Sequence, residues 1–574
     1  MYHNRLIGVA AVPNEAHLMH LLRRTQEGLI LSARRSRGAW GGRAESSVKV
    51  VLDDPTAGDE IRTAEIIGSL CLATDLAIGL PFEHGLQSTL VALRLGERLG
   101  VDREVASQSY YGCLLFYAGC TTDVDISAAL FPDGALLEHF NPVMYGSPAQ
   151  TMRGIARALA DPGQSRPVRA IQGAVRLPRA ARGHEDHIVA MCEVAEMLSD
   201  RLGVQRSVKS LIRGFTARWD GKGTPRGVGG EQLPVALRIV QVARDATLQL
   251  SIGGPEYALG VIRERASKAF DPDVVAALVT DGGEALAFPE TGSLWEEMLQ
   301  REPIRLVLTG EEVDQALAAM GDFADLISPH FVGHSAGVAE LAGDAASRMG
   351  LELNDVVAAR RAAFVHDVGR VAVSTSIWNK PGPLTAAEWE HIRLHPYYTE
   401  RVLAPSISLA RLASIASAHH ERIDGSGYHR GLSGPMVPMP ARVLAAADAY
   451  RTMTEPRPHR AAIAPQPAGE TLAAAARAHR LDPDAVAAVL GAAGQAVPKM
   501  PRPAGLTDRE AQVIALVARG LQTKQIGHRL GISTKTADRH LQNAYAKIGI
   551  SSRAAATMFA MQHGLTFMGR TPDT

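Results

Sequence analysis

Apolar residues recur at helical spacing along most of this chain. Two of the earliest apolar faces consist of Ile66, Ile67, Leu70 and Cys71, and then of Leu86, Leu90 and Leu93. Residues three and four apart lie on one side of an α-helix, so this spacing predicts amphipathic helices from about residue 62 onward. Residues 1 to 60 lack the period, because arginines and glycines interrupt it at 34–38 and 41–42. We expect an irregular leader there, followed by an all-α chain.

Two further segments connect the more regular parts of the chain. Apolar residues at helical spacing, such as Trp295 and Leu317, predict a helical connector over 284–324, with residues 309–312 as a helix start. Residues 491–504 contain Pro498, Pro501 and Pro503 and show no apolar period. This composition predicts a linker.

Composition narrows the class of protein. A chain of 574 residues exceeds what one hydrophobic core supports, so roughly three to five domains are expected. The formal net charge is zero, so nucleic-acid binding would need a local basic patch. The four cysteines, Cys71, Cys113, Cys120 and Cys192, lack the paired spacing of a zinc site, which favours free thiols in a reducing compartment. No apolar run reaches the roughly 18 residues that span a bilayer, and we expect a cytoplasmic protein without membrane contact.

The chain contains an internal repeat. At an offset of 250, residues 83–85 match 333–335, Gly119 matches Gly369, and both segments contain a helix end followed by a glycine, at 100 and 350. At an offset of 204, the loop 220–223 matches 424–427, and residues 238–240 match 442–444. We interpret this as a tandem duplication, with a first copy within 61–283 and a second copy within 325–490.

The second copy concentrates side chains that bind divalent metals. They are His334, His366, Asp367, His395, His419, His420 and Asp448. Imidazole and carboxylate ligands favour Fe, Mn, Co or Zn over Ca or Mg. Two metals about 3.5–4 Å apart can deprotonate a shared water and neutralise a phosphodiester. Such a pair needs a bridging carboxylate, and we predict that Asp367 supplies it.

The first copy lacks nearly all of these ligands. The residues opposite the other six ligands are Phe116, Tyr117, Met191, Phe215, Thr216 and Arg244. Only His84, opposite His334, keeps its identity. One imidazole cannot hold two metals, so the first copy is predicted to be a structural, dimerising or ligand-sensing domain.

The second copy resembles a known family. Residues 325–490 resemble the HD-GYP branch of the HD-domain phosphohydrolases through 366–369 (HDVG), 380–385 (KPGPLT), 395–396 (HP), 419–422 (HHER), 424–428 (DGSGY) and Arg442. The resemblance implies tandem HD-type helical domains, a dinuclear centre, usually of iron or manganese, and hydrolysis of cyclic di-GMP. It also implies catalytic roles for Asp367 and Arg370. The substrate contacts that it implies are Lys380, Gly427, Tyr428 and Arg442.

Three positions depart from the family pattern. Arg370 replaces a lysine that contacts the scissile phosphate or protonates the leaving group, and arginine binds phosphate but does not readily donate a proton. His429 replaces the proline of the loop that names the branch. His330 replaces a glutamate that holds a third metal in some members, so we expect two metals.

Residues 505–574 resemble a four-helix LuxR-type helix-turn-helix domain. The match runs through 506–510 (LTDRE), 517–520 (VARG), 524–527 (KQIG), 530–533 (LGIS), Thr536, 539–541 (RHL), 547–550 (KIGI) and Arg553. Thr507 and Glu510 have the spacing of a capping box. Gly531 predicts the tight turn before a recognition helix that begins at Ser533.

This last domain is basic within a neutral chain. Residues 505–553 contain eight basic and three acidic side chains, for a net charge of +5. The candidates for DNA contact are Lys524, Lys535, Thr536, Asp538, Arg539 and Lys547. We expect the four between 535 and 539 to face the groove and the lysines at 524 and 547 to meet phosphates. The helix after Ser551 is predicted to form a homodimer contact.

Three functions remain open from the sequence. The chain could be a transcription regulator whose metal domain hydrolyses or senses a nucleotide, mainly a cyclic-dinucleotide phosphodiesterase that DNA binding localises, or a pure binding regulator with a structural metal. Double-stranded DNA is a partner in all three. We predict a DNA-binding regulator with phosphodiesterase activity toward cyclic di-GMP or a related nucleotide.

Overall fold

A computed structural model describes residues 60–119, 141–159, 191–280, 282–288, 292–497, 502–563 and 565. Nearly all regular structure in these ranges is helical, so the all-α prediction is confirmed. The predicted leader, Cys120 and part of the predicted linker lie outside the described residues. Within the described part, no helix is both long enough and apolar enough to cross a membrane.

The first copy begins with a short strand, β1 (Glu60–Arg62), and continues in helices. They are α1 (Thr63–Ile78), α2 (His84–Leu99), α3 (Arg103–Leu114), α4 (Pro148–Ala158), α5 (Arg206–Ile212), α6 (Val235–Arg265), which bends at Gly254, and α7 (Pro272–Val279). Helix α8 (Leu294–Gln300) then leads to the second copy. Three-residue 3-10 turns lie at Asn141–Val143, Gly230–Gln232 and Glu284–Leu286.

The second copy also begins with a strand, β2 (Val307–Thr309). Its helices are α9 (Glu311–Asp325), α10 (His334–Arg348), α11 (Leu353–Val365), α12 (Thr375–Trp378), α13 (Ala386–Arg393), α14 (His395–Leu403), α15 (Ala410–Ala416), α16 (Met439–Thr454), α17 (Pro465–Arg477) and α18 (Pro483–Ala492). Two 3-10 turns, Val368–Ala372 and Gly434–Met436, interrupt this series.

The described residues of the C-terminal domain form four helices after a turn at Pro503–Gly505. They are α19 (Asp508–Ala518), α20 (Thr523–Arg529), α21 (Thr534–Ile548) and α22 (Arg553–Gln562). Thr507 and Glu510 form the predicted capping box. Gly531 has a φ of 65°, and Ser533 caps α21, as predicted for the turn and the recognition helix.

The two copies repeat the same local contacts at the predicted offsets. The Asp75 carboxylate accepts from the Gly85 amide at 3.2 Å, and Asp325 accepts from the Ser335 amide at 2.9 Å. Outside the predicted offsets, each copy also contains an arginine–aspartate pair at 3.0 Å, whose arginines are 204 residues apart and whose aspartates are 211 residues apart. The pairs are Arg238–Asp271 and Arg442–Asp482.

The repeat extends to a close backbone approach. A Cβ at Gly369 would lie 2.3 Å from the carbonyl oxygen of His395, and one at Gly119 would lie 1.9 Å from that of Met191. Only glycine permits this approach, because real Cβ contacts are essentially never under 3.0 Å. These glycines therefore belong to the shared scaffold rather than to the chemistry of one copy.

The two copies share one hydrophobic core. Strands β1 and β2 pair antiparallel, with Glu60 opposite Thr309, and buried residues from 61 to 490 form one cluster. Helix α1 of the first copy packs against the 368–372 turn of the second, and Ser408 donates to Glu65 of α1 at 2.6 Å. The C-terminal domain has its own core. The first copy therefore supports the part of the second that contains the candidate ligands.

Candidate metal centre and DNA-binding surface

The seven candidate ligands come from helix ends that meet in the interior of the second copy. His334 and His395 are the first residues of α10 and α14, and His366 and Asp367 directly follow α11. The remaining three follow α15 or lie in α16: His419, His420 and Asp448. All are buried except His420, whose side chain is 19% exposed.

Asp367 lies between two groups of imidazoles. Its Oδ2 lies 2.9 Å from His366 Nε2 and 3.5 Å from His334 Nε2. Its Oδ1 lies 3.2 Å from His395 Nε2 and 3.5 Å from His419 Nε2. Each carboxylate oxygen therefore faces a different pair of histidines, which is the geometry that a bridging ligand requires.

The remaining ligands complete two sets. His334, His366 and Asp448 offer ligand atoms within 4.8 Å of one another, and so do His395, His419 and His420. Asp448 Oδ1 is 3.3 Å from His334 Nε2, and its Oδ2 is 3.8 Å from His420 Nδ1. The structure thus brings all seven predicted ligands into one cluster.

Backbone carbonyls orient three of the histidines. The Nδ1 atoms of His366, His395 and His419 lie 2.7, 2.6 and 2.6 Å from the carbonyl oxygens three residues earlier. A carbonyl only accepts, so each Nδ1 carries the proton and each Nε2 presents a lone pair to the cluster. A backbone carbonyl that accepts from the second ring nitrogen is typical of metal-ligating histidines.

Ionised carboxylates and a protonated imidazole lie together in the cluster. Although burial opposes it, the nearby Arg370 guanidinium and histidines hold the pKa of Asp367 well below its usual range. Burial lowers the pKa of His419 to about 4, so this imidazole is neutral near pH 7. Burial also opposes protonation of His334, but Asp367, Asp448 and Glu455 raise its pKa to about 10. The proton on His334 therefore compensates the carboxylates that a bound divalent cation would otherwise neutralise.

Several buried polar atoms of the cluster have no hydrogen-bond partner. They are Nε2 of His334 and His366, Oδ1 of Asp367, and Nδ1 of His420. An unpaired buried polar group costs about 1–3 kcal/mol, and more when it is charged. Divalent cations that accept N and O ligands would bind these atoms and remove this cost, so the residues fit a metal centre.

Arg370 borders the cluster. Its guanidinium contacts the Asp367 carboxylate and lies 4.0 Å from the ring centre of Phe331 and 5.3 Å from that of Trp378. The side chain is buried, and its Nε and Nη1 have no hydrogen-bond partner. Arg370 thus places a positive charge and two unused N–H donors beside the candidate metal ligands.

The four predicted substrate contacts have different surroundings. The Tyr428 ring lies 4.4 Å from that of His420, and the backbone at Gly427 packs closely on that of residues 421 and 422. Lys380 is paired with Glu388 at 2.7 Å. Arg442 is buried and pairs with Asp482, and the half-buried Arg238 pairs with Asp271 in the first copy. This internal pair accounts for the position of Arg442, which the structure does not bring to the ligands.

Two residues near the cluster, Glu455 and Thr399, were missed from the sequence, and a third, Glu421, was part of the family match without an assigned role. Glu455 Oε2 lies 2.7 Å from His334 Nδ1, and Thr399 Oγ1 donates to the His366 carbonyl at 2.9 Å. Glu421 accepts from the amides of Arg430 and Leu432 and thereby holds the 424–431 loop. Comparison of the copies could have singled out Glu455, because the first copy has a serine, residue 251, at the matching position.

Aromatic rings fill the corresponding place in the first copy. Phe116 stacks on Phe215 at 4.4 Å, and the Arg244 guanidinium lies 3.9 and 3.6 Å from the ring centres of Phe116 and Tyr117. His84 is buried, and neither ring nitrogen has a hydrogen-bond partner. A guanidinium held by cation–π contacts thus lies where the second copy gathers its ligands.

The C-terminal domain presents most of its predicted DNA contacts to solvent. Lys524, Lys535, Asp538 and Arg539 are exposed, and Thr536 is half-buried. Lys547 instead donates to Glu510 at 2.6 Å and to the Gly505 carbonyl at 3.1 Å, so its contact with a phosphate would require this pair to open. The exposed residues lie on α20 and α21, the two helices of the helix-turn-helix.

Family models match both parts of the chain. The HD domain model matches residues 147–274 and 319–485, which together exceed half of the chain. The model of bacterial regulatory proteins of the luxR family matches residues 504–560. The first match covers part of each copy, and the second covers the C-terminal domain.

Cyclic-dinucleotide phosphodiesterases match this chain over different lengths. The 3'3'-cGAMP-specific phosphodiesterase 3 of Vibrio cholerae is 27% identical over 404 residues, which are 70% of this chain and 88% of that protein. A cyclic di-GMP phosphodiesterase response regulator of Xanthomonas campestris is 37% identical over 127 residues, or 22% of this chain and 34% of that protein. The crystal structure of a cyclic GMP-AMP specific phosphodiesterase of V. cholerae covers 76% of this chain and 98% of its own, with a TM-score of 0.54 and 24% identity, which shows a shared fold.

Proposed function

Because the chain belongs to the HD domain family and ends in a luxR-family regulatory domain, we propose that it is a DNA-binding regulator whose second copy hydrolyses a cyclic dinucleotide. The observation that carries the proposal is the position of Asp367, with one carboxylate oxygen toward each of two histidine groups. The names of the relatives support cyclic dinucleotides as the substrate class, with cyclic di-GMP and 3'3'-cGAMP as the two candidates.

Two divalent cations, iron or manganese, are part of this proposal. One would be held by His334, His366 and Asp448 and the other by His395, His419 and His420, with Asp367 shared. When bound, such a pair supplies a low-pKa water and positive charge for the phosphate oxygens.

The protein's own residues would complete the site. The free Nε and Nη1 donors of Arg370 suit a non-bridging phosphate oxygen, and Phe331 and Trp378 keep its guanidinium in place. The Tyr428 ring, at the more exposed His420, is placed to stack on a base. Arginine retains its proton, so the leaving oxygen would take a proton from water rather than from Arg370.

DNA binding in this proposal uses the exposed residues of α20 and α21, and a homodimer would present two such surfaces to a symmetric operator. Helix α22 exposes Met558 and Met561, at 55% and 53%, and is our candidate for the dimer contact. Analytical ultracentrifugation of the full chain measures the oligomeric state directly.

The central test is hydrolysis by the full chain. Protein loaded anaerobically with Fe(II) or Mn(II) is incubated with each cyclic dinucleotide, and linear products are separated by chromatography. We expect turnover that Asp367→Asn abolishes and that Glu340→Gln, an exposed change on α10, leaves intact. Bound metal and bound nucleotide without turnover would refute the enzyme and favour a nucleotide sensor. Absence of bound metal would refute both the enzyme and the metal-dependent sensor.

A further inference from the structure

We propose that Glu455 is a positioning residue for the metal centre, because its carboxylate orients His334 and strengthens that imidazole as a ligand. This inference rests on the metal centre of the proposed function. It assigns a specific role to a residue that belongs to neither ligand set. It also distinguishes the two sets, because only one of them contains a histidine supported by a carboxylate.

His334 differs from the other oriented histidines in the group that accepts from Nδ1. Glu455 Oε2 lies 2.7 Å from His334 Nδ1, whereas His366, His395 and His419 use backbone carbonyls. A carboxylate is a stronger acceptor than a carbonyl, since hydrogen bonds to an ionised group are roughly twice as strong. Electron density pushed toward Nε2 makes the imidazole a better donor to a cation.

Two arginines and a glycine fix the Glu455 carboxylate. Arg457 Nη2 lies 3.1 Å from Oε2, and Arg451 Nη2 lies 3.1 Å from Oε1. Space for Arg451 exists because residue 337, on α10 one turn after His334, is glycine: a Cβ there would lie 2.3 Å from Arg451 Nη2. The hydrogen bond from Arg457 and the contact with His334 both fall on Oε2, so this oxygen is the one held toward the imidazole.

The first copy provides an internal comparison. At the offset of 204, Ser251 lies opposite Glu455, and at the offset of 250, Gln87 lies opposite Gly337. The Ser251 hydroxyl donates to the Leu248 carbonyl, and both ring nitrogens of His84 are buried without a partner. The copy that lost its other ligands thus also lacks the carboxylate, although it keeps the histidine. A purely structural role for this carboxylate would predict an acid in both copies.

The test measures Mn(II) binding to the full-length protein, by equilibrium dialysis with elemental analysis. Glu455→Gln keeps the shape of the side chain and removes its charge, so we expect one of two sites to weaken by about 10–100-fold while the other keeps its affinity. Glu455→Asp, which keeps the charge but withdraws it from Nδ1, should weaken the same site by less. Glu340→Gln is the matched control on α10.

The outcomes separate this inference from the proposed function. Two unchanged Mn(II) sites in both Glu455 variants would overturn the role of Glu455 and leave the metal centre standing. Failure of the wild type to bind Mn(II) would overturn the metal centre itself. Equal weakening of both sites, or a lowered melting temperature of the metal-free Gln and Asp variants, would assign Glu455 to general stability and overturn the inference.

Discussion

Replacing Gly369 by alanine tests whether the 368–372 turn sets the position of a ligand. A Cβ there would lie 2.2 Å from the Thr399 amide nitrogen and 2.3 Å from the His395 carbonyl oxygen, both backbone atoms of α14. Flexible side chains cannot relieve this clash, so the turn and α14 must separate by about 0.8 Å to reach 3.0 Å. His395 is the first residue of α14 and lies 3.2 Å from Asp367, so the separation would open the bridge.

The same change has a matched control in the first copy. Gly119→Ala meets the Met191 carbonyl at 1.9 Å, in a region where the described residues form no cluster of candidate metal ligands. Overpacking of this kind costs about 1–3 kcal/mol, so both variants should melt at a lower temperature than the wild type. Displacement of a reacting group by about 1 Å can cost about 100-fold in rate, so only Gly369→Ala should lose turnover and metal to that extent.

Thermal unfolding, bound metal and cyclic-dinucleotide hydrolysis are measured on both variants at a temperature where each is folded. Wild-type turnover in Gly369→Ala would refute the view that this contact positions His395. An equal loss of turnover in Gly119→Ala would show that the effect is one of general stability.

Three further changes test other parts of the molecule. His334→Ala should reduce bound metal while His84→Ala leaves it unchanged, and equal losses would contradict a metal-free first copy. In footprinting, Arg539→Ala should reduce the preference for the operator over other DNA. Lys524→Ala should weaken binding to all DNA sequences, and the slope of log binding constant against log salt concentration should fall by about one. Identical effects of the two variants would argue against separate groove and phosphate roles. Burial raises the pKa of Asp75 to about 8, so the folded protein keeps a proton that the unfolded chain loses above about pH 4. The contribution of Asp75 to the free energy of unfolding should therefore fall between pH 4 and 8. In urea titrations, the free energy of unfolding of Asp75→Asn relative to the wild type should be higher at pH 8 than at pH 5; a difference that does not change with pH would refute this.

Local patterns in the sequence predicted the elements that depend on neighbouring residues. The capping box at Thr507 and Glu510 and the turn at Gly531 require contacts within a few residues, so spacing alone reveals them. The repeat was equally visible, because two constant offsets bring glycines and other matching residues of the two copies into register. Residue types that bind metals were likewise visible, since imidazoles and carboxylates at matched positions had been replaced in the first copy.

The roles of several charged side chains depended on distant contacts. Arg442 and Arg370 were both predicted to face the substrate, but Arg442 pairs with Asp482, 40 residues later, while Arg370 lies against the ligands. Lys547 was predicted to meet a phosphate, and it pairs with Glu510, 37 residues earlier. A charged residue has the same appearance in sequence whether it binds a ligand or an internal partner.

The sequence by itself therefore specified a tandem duplication of helical domains, the metal-binding residue types of one copy and the recognition helix of a DNA-binding domain. Each of these depends on local periodicity, on caps or on comparison of one copy with the other. Tertiary structure alone decided that the two oxygens of Asp367 face different histidines, that Glu455 supports His334 across 121 residues, and that α1 of the first copy packs on the 368–372 turn. Contacts across such distances follow from how helices pack in three dimensions, and no spacing along the chain records them.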